Sequence, residues 1–255
     1  MAPRPGPHCG AGHLRLERRV IRFWVLVVLT WLYIFLAGVP GCVYLLVTGR
    51  LDWLYAETRW GIRTLLRVGG IRVVELGREH VVAARPGIYM ANHQSNLDPP
   101  VLIACLPGQI SVLAKKELFR IPLLGLLFRI GGLIPVDRSN REAARASVDL
   151  AVTVLRGGRP FLVFPEGTRS VDGRLLPFKK GTFVLAQRAD VPIYPVTVRG
   201  TGAILPKGRL ALRPGQIEVQ YHPAVFPGDF PDREALMAAV RARIAAALPE
   251  GTVEG

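Results

Sequence analysis

The sequence predicts an α/β domain, with a mostly parallel sheet flanked by helices, preceded by a membrane-binding pair of helices. Three observations predict it. Residues 23–48 form a run of 26 positions without a single charge. After residue 70, short Val- and Ile-rich segments alternate with longer amphipathic stretches. Half of the 255 residues are apolar, too many for a disordered polymer and enough to bury a core without disulfide or metal staples. Cys9, Cys42 and Cys105 are scattered and odd in number, so they form no disulfide framework. The formal net charge of +14 calls for an anionic partner: nucleic acid, a membrane surface or a phosphorylated substrate.

Residues 1–19 read as a basic tail and 20–69 as a membrane-associated helical segment. A spanning helix needs about 20 apolar residues, which the uncharged run supplies once but not twice. Pro40-Gly41 interrupts it, and a proline inside a helix removes a hydrogen bond and kinks or ends the helix. Residues 1–22 carry a net charge of +4 and residues 49–80 a net charge of +2. Basic flanks are retained on the cytoplasmic side. Two basic flanks therefore favour a pair of helices that enters one leaflet, bends near Pro40-Gly41 and returns. A single span over 23–47 is the alternative.

Residues 70–225 carry the α/β pattern. Strands are predicted at 71–76, 88–91, 110–114, 133–136, 161–164, 193–198 and 217–221, each bounded by Gly, Pro or polar residues. A helix at 140–156 places Ala144, Val148, Val152 and Leu155 on one face and stops at Gly157-Gly158. A second is predicted at 178–188. Residues 226–255 form a C-terminal helix and tail; the helix, 233–248, has Leu236, Val240, Ile244 and Leu248 four apart. Residues 1–13 and 249–255 read as loose ends.

The glycine-rich phosphate loops and the G-x-S-x-G nucleophile elbow are absent from the sequence. His8, Cys9 and His13 lack a fourth ligand, so no metal site is expected. The first stretch with chemical content is Asn92-His93-Gln94-Ser95-Asn96-Leu97-Asp98-Pro99-Pro100. It follows a predicted strand, and α/β sheets place ligands at the carboxyl ends of strands. Asp98 before Pro99 reads as a helix cap. Asp98 is also close enough in sequence to accept from Nδ1 of His93 and leave Nε2 as a base. A pair at this spacing arises often by chance, so a merely structural cap is the competing reading.

The second stretch is Phe164-Pro165-Glu166-Gly167-Thr168-Arg169-Ser170. Gly167 permits a tight turn, and Arg169 offers a donor fork that matches phosphate oxygens. An ordinary exposed turn is the bland alternative. A third group joins Lys115 and Lys116 to the nearly uncharged run 121–136 and then Arg138. That run is either a buried helix and strand or the wall of an acyl-chain groove with cations at its mouth.

Four blocks in order now resemble one family. They are the H-x-x-x-x-D block at 92–98, Gly132-Leu133-Ile134-Pro135-Val136-Asp137-Arg138, the F-P-E-G-T-R block at 164–170, and Val191-Pro192-Ile193-Tyr194-Pro195-Val196. The chain resembles the 1-acyl-glycerol-3-phosphate (lysophosphatidic acid) acyltransferases over residues 20 to 225. The second block departs from the family pattern, with Pro135-Val136 where the family often has Phe-Ile. The resemblance implies that residues 70–225 are the catalytic domain and that the hydroxyl of lysophosphatidic acid attacks an acyl thioester. An alcohol is a poor nucleophile at neutral pH, so a positioned histidine that takes its proton is needed. His93 is then the base and Asp98 its orienter. Glu166, Gly167, Thr168 and Arg169 belong to the acceptor site, with Arg138 a second phosphate contact and Lys115 or Lys116 assisting. The expected partners are membrane lipids, lysophosphatidic acid and acyl-CoA or acyl carrier protein as co-substrate, with no cofactor and no nucleic acid. The catalytic domain is expected on the cytoplasmic face, where thioesters are made. Acyltransferases for glycerol-3-phosphate or a lyso-ornithine lipid share this chemistry. A nucleic-acid binder is disfavoured, because the aromatic residues do not cluster with the basic ones.

Overall fold

The computed structural model describes residues 10–81, 86–136, 141–249 and 252. In chain order the helices are α1 (Gly10–Tyr33), α2 (Val39–Thr48), α3 (Leu51–Val68), α4 (Asp98–Cys105), α5 (Leu124–Ile130), α6 (Arg141–Arg156), α7 (Lys180–Ala189), α8 (Thr201–Ile204) and α9 (Arg233–Ala245). The strands are β1 (Ile71–Leu76), β2 (Ile88–Ala91), β3 (Ser111–Lys115), β4 (Ile134–Val136), β5 (Phe161–Val163), β6 (Ile193–Arg199) and β7 (Gly215–Tyr221). They form one sheet in the order β1-β7-β6-β2-β5-β3-β4. The pairs are parallel except β6 with β7, so β1 and β7 run against the other five strands.

Helices cover both faces, which is why β2 is apolar at every position. Ile88 and Met90 point to a core shared with Phe161, Phe183, Val240 and Ile244, against α6, α7 and α9. Tyr89 and Ala91 point the other way, to Leu66, Val101, Leu102 and Val196, against α3 and α4. Ile88 and Met90 are both fully buried, and each such side chain contributes about 1.5–3 kcal/mol by leaving water. The α9 residues Leu236, Val240 and Ile244 are also fully buried. The C-terminal helix is thus part of the domain core, not an appendage to it. Even Thr252 is tied in, its carbonyl accepting from Leu175 N at 2.8 Å.

The N-terminal segment differs from expectation in two places. Helix α1 begins at Gly10, inside the stretch read as a tail. Pro40-Gly41 does not turn the chain: backbone angles stay helical from Tyr33 through Val39, with a π-helical turn at Ile34–Gly38 just before the proline. A π turn re-registers helical hydrogen bonds, one of the few ways to absorb an interruption without ending the helix. The turn falls instead at Gly49, which takes the left-handed conformation (φ 68°) and donates to Leu45 O at 2.7 Å. From there α3 runs back along the first helix. Gly61 lies under the Tyr33 ring so closely that any side chain would overlap it, and Tyr33 Oη donates to Glu57 O at 2.9 Å. The helix Leu16–Thr48 has 33 residues, its most apolar 18-residue stretch has a mean hydropathy of 2.2, and it is long and apolar enough to cross a membrane. Trp24, Val28, Phe35, Leu36, Leu46 and Val47 leave it exposed, as a lipid-facing surface would be.

Candidate active site

The site lies where β2 and β5 end. Asn92 leaves β2 locked to β6: its Nδ2 donates to Val198 O at 2.9 Å and its Oδ1 accepts from Val198 N at 2.7 Å. The next residue, His93, projects its ring over Phe164, with ring centroids 4.1 Å apart and planes 22° apart. Nδ1 of His93 is 2.7 Å from Oδ2 of Asp98. That same oxygen accepts from the backbone N–H groups of Gln94 and Ser95, each at 2.7 Å. A carboxylate only accepts, so Nδ1 carries the proton and Nε2 keeps its lone pair.

Asp98 is fully buried at the start of α4. It does not cap the helix ahead of it as expected. Its side chain turns back to the loop before it: Pro99 and Pro100 offer no N–H to cap, and that of Val101 goes to Leu97 O at 3.0 Å. The loop, ring and carboxylate therefore form one hydrogen-bonded unit.

Glu166, expected at the acceptor site, is 2% exposed. Its Oε1 accepts from His93 N at 2.7 Å and its Oε2 from Leu176 N at 3.0 Å. Ser170 N in turn donates to His93 O at 2.8 Å. Both backbone polar groups of His93 are thus held by the 166–170 turn, and Glu166, with each oxygen on a backbone amide, fixes the histidine's position. Burial pushes its carboxyl up to about 7, against the two amides that favour the ionised form.

A cavity of about 690 Å³ opens at His93, Phe164, Thr168 and Arg169, a size typical of sites that bury a small ligand. Lys115 also lines it, exposed and 3.7 Å from Glu117 in an ion pair. The remaining wall is mostly apolar and includes Leu124, Leu127, Phe128 and Leu133, with Glu57, Thr58 and Asn96 among its polar members. The nearly uncharged run 121–136 thus lines a cavity, the groove alternative of the two readings. Tyr33, Ile34 and Gly38 line it as well, so the N-terminal helices are part of the site. Gly167 adopts φ 70°, with the Lys179 side chain lying across it. Lys116 is half-buried in the turn after β3, outside the cavity lining. Arg138 lies outside the described residues, as do His8 and Cys9. Among the described residues no group of His, Cys, Asp and Glu is placed to hold a metal ion.

Two features were missed by sequence reasoning. Nothing in Pro-Glu-Gly says that the glutamate turns inward to backbone amides. The segment after β6, which bears on both loops, matches no motif.

An acyltransferase family profile matches residues 72–199. The chain is 39% identical over 183 residues to a 1-acyl-sn-glycerol-3-phosphate acyltransferase of Limnanthes douglasii, covering 71% of this chain and 63% of that protein. It is 36% identical over 157 residues to the human 1-acyl-sn-glycerol-3-phosphate acyltransferase alpha, covering 61% and 56%. The chain thus spans between half and two thirds of the length of these curated relatives. The crystal structure of the lysophosphatidic acid acyltransferase PlsC from Thermotoga maritima superposes with a TM-score of 0.83 at 28% identity, covering 91% of this chain and 95% of that one. With the profile spanning half the chain and both loops around His93 inside it, the chain belongs to the acyltransferase family.

Proposed function

We propose that the chain transfers an acyl group from a thioester to the free hydroxyl of 1-acyl-glycerol-3-phosphate, giving phosphatidic acid. The observation that carries this reading is the cavity, whose lining joins an imidazole and a guanidinium, His93 and Arg169, to a mostly apolar wall. Such a cavity suits a molecule with an acyl chain on one side of its reacting atom and a phosphate on the other.

In this reading Nε2 of His93 takes the proton of the acceptor hydroxyl as its oxygen attacks the thioester carbonyl. The new C–O bond forms, the C–S bond breaks, and the departing sulfur takes the proton back from His93. A thiol leaves readily, its pKa being about 8.5 by analogy with cysteine, so the step asks for no metal and no cofactor. Asp98 stabilises the imidazolium and fixes its tautomer. Arg169 pairs with the acceptor phosphate through its planar fork. The donor is acyl-CoA or acyl carrier protein, both cytosolic, which puts the catalytic domain on the cytoplasmic face of the membrane. The exposed apolar helix and the basic flanks on either side of it support that arrangement.

The test is an acceptor panel with labelled acyl-CoA, run on inside-out and right-side-out membrane vesicles. Lysophosphatidic acid is expected to be the preferred acceptor over glycerol-3-phosphate and a lyso-ornithine lipid. Activity with the impermeant donor is expected only where the cytoplasmic face is exposed. Preference for another acceptor would overturn the assignment, and activity in right-side-out vesicles would overturn the sidedness.

A further inference from the structure

The segment that follows β6 ties together the two loops that make the site. After Gly200, the short α8 brings Gly202 against the Gln94 side chain. Ser95 Oγ, buried beside Asp98, donates to Leu205 O at 2.8 Å. Two residues on, Nζ of Lys207 donates to Arg169 O at 2.8 Å. The same few residues thus touch both the 92–98 loop and the 164–170 turn.

Lysine ammonium groups are normally left in water. Lys207 is half-buried, and its ammonium is held on the backbone of Arg169, which lines the cavity, although Lys207 itself is not in the lining. Among the described residues it forms no ion pair. The acid of the adjoining turn, Glu166, is spent on backbone amides. The next acid, Asp172, is engaged by Ser170 Oγ at 3.0 Å and by Arg174. The ammonium of Lys207 is therefore held on the backbone of the Arg169 turn with neither of these carboxylates paired to it. The carbonyl of Arg169 uses one of the three ammonium N–H groups, leaving two.

We propose that Lys207 is a second cation of the acceptor site, holding the Arg169 turn through one N–H and presenting the others to a phosphate monoester. This rests on the reading that the acceptor carries that phosphate. A phosphate monoester also occurs in the donor, on coenzyme A, so the two sources must be separated.

The experiment uses the full chain in membranes and compares Lys207→Met, Lys207→Gln and Lys207→Arg. Glutamine keeps an N–H for the Arg169 carbonyl but removes the charge. The exposed Arg209→Gln serves as a control for bulk charge. KM is measured separately for lysophosphatidic acid and for acyl-CoA, and thermal unfolding is followed for each variant. The Met and Gln variants are expected to raise KM for lysophosphatidic acid about tenfold, the size of one charge-assisted contact. KM for acyl-CoA should stay within about twofold, Lys207→Arg should recover most of the loss, and Arg209→Gln should match the wild type. A rise in KM for acyl-CoA equal to that for the acceptor would overturn the proposal, as would a fall in kcat with both KM values unchanged. A wild type that does not acylate lysophosphatidic acid would overturn both this proposal and the functional reading. An active wild type with an indifferent Lys207 would overturn this proposal alone.

Discussion

Two histidines follow strands of the same sheet, and their surroundings give them opposite chemistry. His93 leaves the end of β2, and His222 leaves β7, which runs the other way. Each ring has a hydrogen bond. That of His93 goes to a buried carboxylate, Asp98, at 2.7 Å. That of His222 goes to a hydroxyl: Nε2 lies 2.9 Å from Thr197 Oγ1, which itself donates to Ile244 O at 3.0 Å. Burial, helped by the nearby His80 and Arg243, pushes the His222 ring down to about 4, so it stays neutral. It is a fastener between the sheet and α9. His93 faces a cavity and has an anion behind it, the two things a base needs if it is to accept a proton in the transition state. In the proposed mechanism a histidine therefore becomes a base through its partner's charge and its access to substrate, more than through being buried or hydrogen-bonded.

The comparison breaks most sharply at Asp98. In Asp98→Asn, an amide oxygen in the place of Oδ2 still suits the Gln94 and Ser95 amides and the Nδ1 proton, while the NH₂ replaces Oδ1, which is buried without a hydrogen-bond partner among the described residues. What is lost is the charge behind the ring. A loss of about 10³-fold in kcat is expected, within the range that general acid–base catalysis contributes. Steady-state kinetics would check it, with circular dichroism confirming that the variant is folded.

Glu166→Gln comes next. The new NH₂ must face one of two backbone N–H groups, so the loop that carries His93 shifts, and a loss of about 10²-fold in kcat is expected for a misplaced group. The same variant has a signature in stability. A carboxyl whose pKa rises on folding, from 4.5 to about 7, stabilises the fold fully below 4.5 and loses that contribution as pH rises through about 7. Chemical denaturation between those pH values should show a downward slope in the wild type that is reduced in the variant.

His222→Asn should do the least to turnover, leaving it within about twofold because the ring is remote from the cavity. Its signature has the opposite sign. A histidine whose pKa falls on folding, from 6.5 to about 4, costs stability as pH drops through that window. The variant should unfold less steeply between pH 6.5 and 4. A large loss of activity would contradict its role as a fastener.

The seven strands were legible because Val, Ile and Phe runs end at Gly, Pro or Asn, and every boundary falls within about two residues of expectation. The buried faces of α6 and α9 followed from four-residue spacing. Strand order was not legible, since nothing local says that β6 and β7 pair antiparallel while the other pairs are parallel. Pro40-Gly41 misled because a proline signals a break, whereas the π turn before it keeps the helix going. His93 and Asp98 could be named from one block. The inward aim of Glu166 and the reach of Lys207 to Arg169 depend on contacts across 73 and 38 residues, beyond any local pattern.

The central claim is that Asp98 works only through His93 as the base. A double-mutant cycle tests it directly, with kcat measured for His93→Ala, Asp98→Asn and the double variant on the same acceptor and donor. Residues that act as a unit are non-additive. The account predicts that His93→Ala lowers kcat to the residual rate left by binding and positioning, and that adding Asp98→Asn costs nothing further. A double variant slower than His93→Ala by the full Asp98→Asn factor would show that the two residues act independently, and would contradict the account.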